Sequence, residues 1–293
     1  MGRKRVLSDE GIKLFNMGFD VPAPTRGCVK TILHNLFTSE FDTNIDTSSL
    51  QMRKASMKLY SFLSKVGRKS IPELIDNAIV NIILLIMLDD DKINKLHRVK
   101  YNIHYYTHLA KRAHDEGDHH TAILIKAALE NTAIRRLKLK TNKGEKKILQ
   151  ELESDYGTFM NCNSEHLRHI LAAKEEDIEN FLPSVMVLLM HLDKTREYAK
   201  GYKQLGMVSD RLIYVQYQLA QIVEDYYKHY KDYDMDLIEL YLRNPLNNPI
   251  MQSQPSKGVC AKLYDISYKI LPSSKTQGVL KRTKNNKSIL TTH

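Results

Sequence analysis

The chain has 293 residues, 42% hydrophobic and 27% charged, enough for one large domain or two small ones with a sizeable core. Its 12 Gly and 8 Pro are too few for an all-β fold, and its three scattered Cys make neither a disulfide framework nor a metal spacing. Of the net charge of +10, eight charges sit at the ends, on Arg3, Lys4 and Arg5 and on Lys275, Lys281, Arg282, Lys284 and Lys287. The body is then close to neutral, which argues against a specific nucleic-acid reader and leaves the basic termini at most a weak membrane-surface contact.

Residues 1–20 are polar and basic, and "DVPAPTRG" (20–27) is a Pro-rich break before an expected helix at 28–37. Residues 39–49 read as a loop. A helix is expected over 50–66, where Met52, Ala55, Leu59, Phe62, Leu63 and Val66 recur at helical steps. Pro72 opens the next helix, whose run "AIVNIILLIML" (78–88) is about half as long as a membrane span and reads as buried. Ile93, Leu96, Val99, Ile103, Tyr106 and Ala110 carry a helix to about 115.

"EGDHH" interrupts, and an Ala-rich helix is expected over 121–140, then a loop at "TNKGEKK" and a short helix at 146–156. Asn163 or Ser164 before Glu165 is a capping signature for the next helix. The stretch "NFLPSVMVLLMHLDKTREY" (180–198) runs from Pro183 through apolar positions into an abrupt polar cluster. A long amphipathic helix over 209–231 carries Leu212, Val215, Leu219, Ile222, Val223 and Tyr226 on one stripe. "MDLIELYLRN" and "KGVCAKLYDISYKILP" complete an all-α set of ten or more helices, with no strand and no internal repeat.

His104 and His108 share a helix face, and His114, His119 and His120 follow with Asp115 and Asp118. No HExxH or CxxC accompanies them, so they read as a solvated interhelical turn, and no metal or cofactor is expected. Tyr226, Tyr230 and Tyr233 recur at helical spacing and read as packing. Val6 stands where a myristoylation signal has Ser or Thr. No signal peptide, phosphate-binding Gly loop, nucleophile elbow or dinucleotide fingerprint is present, and the three Cys suit a reducing, cytoplasmic setting.

The order of elements resembles the catalytic domain of Ras-family guanine nucleotide exchange factors of the Son-of-sevenless type. The segment "RVKYNIHYYTHLAKRAHDEGDHHTAILIKAALENTAIRRLKLK" is similar to that family's helix, polar turn and "I..AL....I.RLK" helix. "ILQELESDYGTFMNCNSEHLRHIL", the 180–198 stretch, "DRLIYVQYQLAQIVEDYYKHY" and "KLYDISYKILPSS" match its later segments in order, so the resemblance covers roughly residues 75–274. It implies a 71–274 catalytic domain with a projecting helical hairpin, after a partly helical extension (1–70) and before a basic, disordered tail (275–293).

The resemblance implies a partner, a small GTPase of the Ras superfamily, and a mechanism without covalent chemistry. The inserted hairpin displaces switch 1 and weakens Mg²⁺ and nucleotide together. Aligned on Pro183, "LDKTRE" matches the family's hairpin segment without a gap. Glu197 falls on the hairpin carboxylate, Lys194 and Thr195 match identically, and Arg196 lies between. Asp193 falls where the family keeps an apolar magnesium-blocking residue, which Leu192 would supply after a one-residue shift. The family's Asn-Asn-Phe turn is replaced by "GDHH" (117–120), which puts Asp118 or His119 in place of the asparagine that supports the hairpin. These departures imply a divergent stand-alone exchange factor or an inactive adaptor, and a pathogen effector acting in a host cytoplasm is one such case.

Overall fold

The run of Ile and Leu after Pro72 makes the central helix of the molecule. It spans Ile71–Met87, with the proline in its first turn where no N–H is needed. Its second half is apolar on nearly every side, so it has to be surrounded: Ala78, Ile82, Ile83, Ile86 and Met87 are all buried. The one polar residue in that run, Asn81, is satisfied by donating to the carbonyls of Leu240 (2.9 Å) and Arg243 (2.8 Å).

The computed structural model describes residues 41–64, 67–89, 92–157, 165–173 and 177–272. Twelve α-helices and one small hairpin of strands are formed among them. In chain order they are α1 (Phe41–Tyr60), α2 (Ile71–Met87), β1 (Leu88–Asp89), β2 (Lys92–Ile93), α3 (Leu96–Asp115), α4 (His119–Leu129), α5 (Thr132–Arg135) and α6 (Lys143–Tyr156). Then come α7 (Glu165–Ala172), α8 (Val185–Gln204), α9 (Asp210–Tyr230), α10 (Glu239–Leu242), α11 (Pro249–Gln252) and α12 (Val259–Ile270). The fold is all-α, and α3, α4, α8, α10 and α12 pack around α2. Among the described residues no helix is long and apolar enough to cross a membrane.

Several expected boundaries shift for local reasons. The segment read as a loop at 39–49 is helical from Phe41, and α1 ends at Tyr60 rather than at 66. Tertiary packing overrides its weak propensity: Ser48 and Ser49 are buried, with Ser48 bonded by the Tyr105 hydroxyl (2.7 Å) and Ser49 bonded to Glu116 (2.6 Å). The helix expected over 121–140 starts at His119 and stops at Leu129. Asn131 accepts from Ala133 N (2.9 Å) to start α5 afresh, and Lys138 takes a positive φ of 47°.

"TNKGEKK" is helical from Lys143 because Asn142 and Glu145 form a reciprocal capping box, which the loop reading missed. Instead of no strand, Leu88 pairs with Ile93 and Asp89 with Lys92 across a two-residue ladder, and α3 begins only at Leu96. "MDLIELYLRN" keeps a single turn, Glu239–Leu242. The 28–37 helix, the Asn163/Ser164 cap, Cys28, Cys162 and the 275–293 tail lie outside the described residues. Cys260 is free and exposed.

Candidate functional site

The apolar run that ends in "DKTREY" is one uninterrupted helix, α8, and its polar half leaves the body of the protein. Ser184 caps it by accepting from Val187 N (3.4 Å), and Val185, Val187, Leu188, His191 and Leu192 are buried. The chain turns at residues 205–209. Gly206 adopts φ 68° while Met207 N reaches back to Tyr202 O (2.9 Å), the six-to-one bond of a Schellman cap. Ser209 then caps α9 by accepting from Leu212 N (3.4 Å), and burial resumes at Leu219, Val223, Tyr226 and Tyr230.

Between Leu192 and Leu219 no residue is buried. The two helices pack on each other over this stretch, so they form a hairpin that projects from the core by about 18 Å. Its surface is unusually apolar. Tyr198, Tyr202, Leu205, Met207, Val208, Ile213, Tyr214 and Tyr217 are eight of the twelve large hydrophobic side chains exposed among the described residues. Such a concentration on one element marks a contact surface rather than scattered exposure.

Candidate residues 193–197 occupy the first turn beyond the core. Leu192 is only 1% exposed, so it belongs to the base, and the side chain presented to solvent is Asp193. Asp193 and Glu197, four residues apart on α8, lie on the same face. Arg196 reaches Asp193 (3.4 Å), and Thr195 is turned back onto Leu192 O (2.9 Å). Lys194 is half-buried and Glu197 is exposed. Arg68, before α2, lies within electrostatic reach. Its burial and the like charge of Arg196 hold the guanidinium below its ordinary range, against the pull of Glu224 and Asp193.

What aims the hairpin is the strap at residues 177–184. Gly117, with φ 76°, lets the α3–α4 turn meet this strap closely, so that Leu182 N donates to Gly117 O (2.8 Å) and His120 N to Leu182 O (3.1 Å). The Tyr60 hydroxyl donates to Pro183 O, that of Tyr226 to Phe181 O, and that of Tyr230 to Ile178 O (3.3 Å). Arg53 holds Glu179 O and Glu116 O. Two imidazoles complete the set: His166 Nε2 accepts from Ser184 N and His120 Nδ1 from Val185 N, each at 3.3 Å.

Asp118 and His119 are therefore brought to the hairpin's base and not to the face that carries Asp193 and Glu197. Asp118 is fully buried, caps α4 by accepting from Thr121 N (3.1 Å), and accepts from Ser56 (3.2 Å). Burial pushes its carboxyl up, while the bonds from Thr121 and Ser56 and the charge of Arg53 pull it down. His119 packs against Phe181 and His166 and bonds the Tyr156 hydroxyl (2.5 Å), which also bonds His114 (2.7 Å). Burial brings His119 and His120 down to about 3 and His166 well below its ordinary value, so all three are neutral.

Reading the sequence missed Tyr60, Arg53, His120 and His166 as strap ligands, since nothing in local spacing says which carbonyl a phenol or imidazole will meet. The exposed tyrosines had a signal: Tyr214 and Tyr217 fall off the apolar stripe of α9. The solvated-turn reading of the histidines is corrected, because His119 and His120 are interior. His114, Asp115 and Glu151 offer ligand atoms within 4.8 Å of one another, but Lys111 already pairs with both carboxylates. No protein-family model matches this chain, and no curated protein matches it.

Proposed function

We propose that this chain is a guanine nucleotide exchange factor for a small GTPase of the Ras superfamily, acting through the α8–α9 hairpin. The observation that carries the reading is the hairpin itself: a capped, strap-aimed projection with an apolar surface and with Glu197 on its shaft. A partner's nucleotide is held by Mg²⁺ and by amide and lysine contacts to its phosphates. A carboxylate that offers those donors another anionic partner, on an element that wedges the site open, stabilises the nucleotide-free state. On this reading the protein acts in a cytoplasm, that of a host if the chain is a secreted effector.

The exposure of Asp193 favours a second reading, an adaptor that binds the GTPase without stimulating exchange. An acid at that point attracts Mg²⁺ where an apolar group would exclude it, and Arg196 only partly offsets its charge. One experiment separates the two. Purified small GTPases loaded with labelled GDP are screened for accelerated release, and Glu197→Ala is tested on the pair that responds. A charge-assisted contact is worth about 1.5–3 kcal/mol, so the variant should lose about tenfold to a hundredfold in stimulated rate with its melting curve unchanged. Stable complexes with no acceleration for any GTPase support the adaptor. Full activity in the variant removes Glu197 from the mechanism.

A further inference from the structure

The near-neutral body conceals a charge separation along helices α3 and α6. Lys92 and Lys95 precede α3, Arg98 and Lys100 lie in its first turns, and no acid follows before Asp115. α6 opens with Lys143, Lys146 and Lys147 and closes with Glu151, Glu153 and Asp155. The two helices run in the same direction. His104 bonds Glu145 (2.5 Å), Lys111 bonds Glu151 (3.0 Å) and His114 bonds Tyr156 (2.7 Å), in step along both. The start of α6 therefore lies beside α3 at His104, about two turns in from Leu96, and the C-terminal ends coincide.

The loop from α5 to α6 adds Lys138 and Lys140 to the cationic end. Glu145, inside this cluster, is buried and taken up by His104 and by the cap of α6, whereas Asp89, Asp90 and Asp91 directly precede Lys92 and offset the charges at the start of α3. Lys138, Lys140, Lys143, Lys146 and Lys147 are all exposed, and none is in an ion pair among the described residues. At the opposite end of α3, Gly117 bonds the strap beneath the hairpin, flanked by Glu116, Asp177 and Glu179. From His104, beside the start of α6, to Gly117 the chain of α3 rises by about 20 Å.

The chemistry of the cationic end suits headgroups better than bases. Arg136, whose fork could read a base, donates instead to Ser267 O (2.8 Å) and Leu271 O (2.6 Å). The exposed rings that could stack a base are also taken: Arg136 lies 3.6 Å over Tyr268, and Arg98 lies 5.0 Å over Tyr101. What remains is a set of lysines, which are point charges on flexible stems and ask for negative charge without a fixed geometry.

We propose that the lysines of the α5–α6 loop and of the start of α6 rest on an anionic phospholipid surface, and that the hairpin base stands about 20 Å away from it. At the far end the carboxylates are taken up by Lys111, Arg112 and Lys126, so attraction at the lysines sets the orientation. This inference makes no use of the exchange reading, and vesicle binding and GDP release succeed or fail separately.

The test is sedimentation of the full chain with vesicles of phosphatidylcholine alone and with roughly one-third phosphatidylserine. Attraction of about fivefold per lysine near the surface predicts that K138Q, K140Q, K143Q and K146Q together lose more than about tenfold in binding. The chain itself should bind only the phosphatidylserine vesicles, and less with added salt. Arg at the same four positions should keep the binding, and neutralising Lys281, Arg282, Lys284 and Lys287 should cost less than the four Gln. Four results overturn the proposal: unchanged binding by the Gln variant, loss in the Arg variant, binding that vanishes with the tail charges alone, or release of the chain from vesicles by an RNA oligonucleotide at the same salt.

Discussion

Gly117 shows how much one backbone position decides here. Its φ of 76° belongs to glycine, and a β-carbon on it would stand 2.0 Å from the Asn180 carbonyl oxygen. The close approach is what lets the turn bond Leu182 and lets His120 and Asp118 sit beneath the strap. Gly117→Ala combines left-handed strain with a backbone clash, and should lower stability by about 2 kcal/mol or more. Urea unfolding measures this directly. A variant as stable as the parent would mean that the strap shifts at no cost. The contrast with Gly201 is instructive, since a β-carbon there meets nothing within 4 Å.

At the scale of elements, the hairpin gains its direction from side chains on other helices. α1 contributes Arg53 and Tyr60, α9 contributes Tyr226 and Tyr230, and α4 and α7 contribute His120 and His166. Each phenol satisfies a strap carbonyl at a place where a loop backbone would otherwise be buried without partners. Tyr226→Phe keeps the ring packed beside Tyr60 but removes the bond to Phe181 O. Leaving that carbonyl unsatisfied should cost about 1–3 kcal/mol. Hydrogen exchange at residues 181–188 should then speed up ahead of the core amides of α2. Uniform protection in the variant would remove Tyr226 from the strap's support. The helices themselves were legible in the sequence wherever an apolar stripe was continuous, as in α2 and α9. The capping box of α6 is present in the sequence at Asn142 and Glu145, yet the Lys-rich stretch around it reads as a loop and the box is missed.

For the whole molecule, the interior histidines couple stability to pH. His119, His120 and His166 have folded values well below the ordinary 6.5, which the unfolded chain retains. Above about pH 6.5 neither state binds these protons. As the pH falls below that value only the unfolded chain takes them up, so stability declines with falling pH, by up to about 1.4 kcal/mol per unit for each histidine. Asp118 acts with the opposite sign, since its raised folded value makes acid relieve the cost of burying its charge. Three groups outweigh one, so the melting temperature should drop by several degrees between pH 6.5 and 5.5, and a flat profile across that range would contradict the buried, neutral assignment.

The amino-acid sequence alone sets the fold class, because few Gly and Pro and long apolar periodicities leave little besides helices to form. It also determined the abrupt passage from apolar to charged at Leu192 and Asp193, which the structure turns into the boundary between base and projection. Only in the folded chain does Leu192 face inward, do His119 and His120 of the turn become interior, and does the lysine-rich start of α6 come to lie beside α3 at His104. Helical periodicity says which face of a segment is apolar, and nothing about what comes to meet it. The partners of the strap are separated from it by up to 126 positions in the chain, as Arg53 is from Glu179, and such contacts exist only once the core has closed.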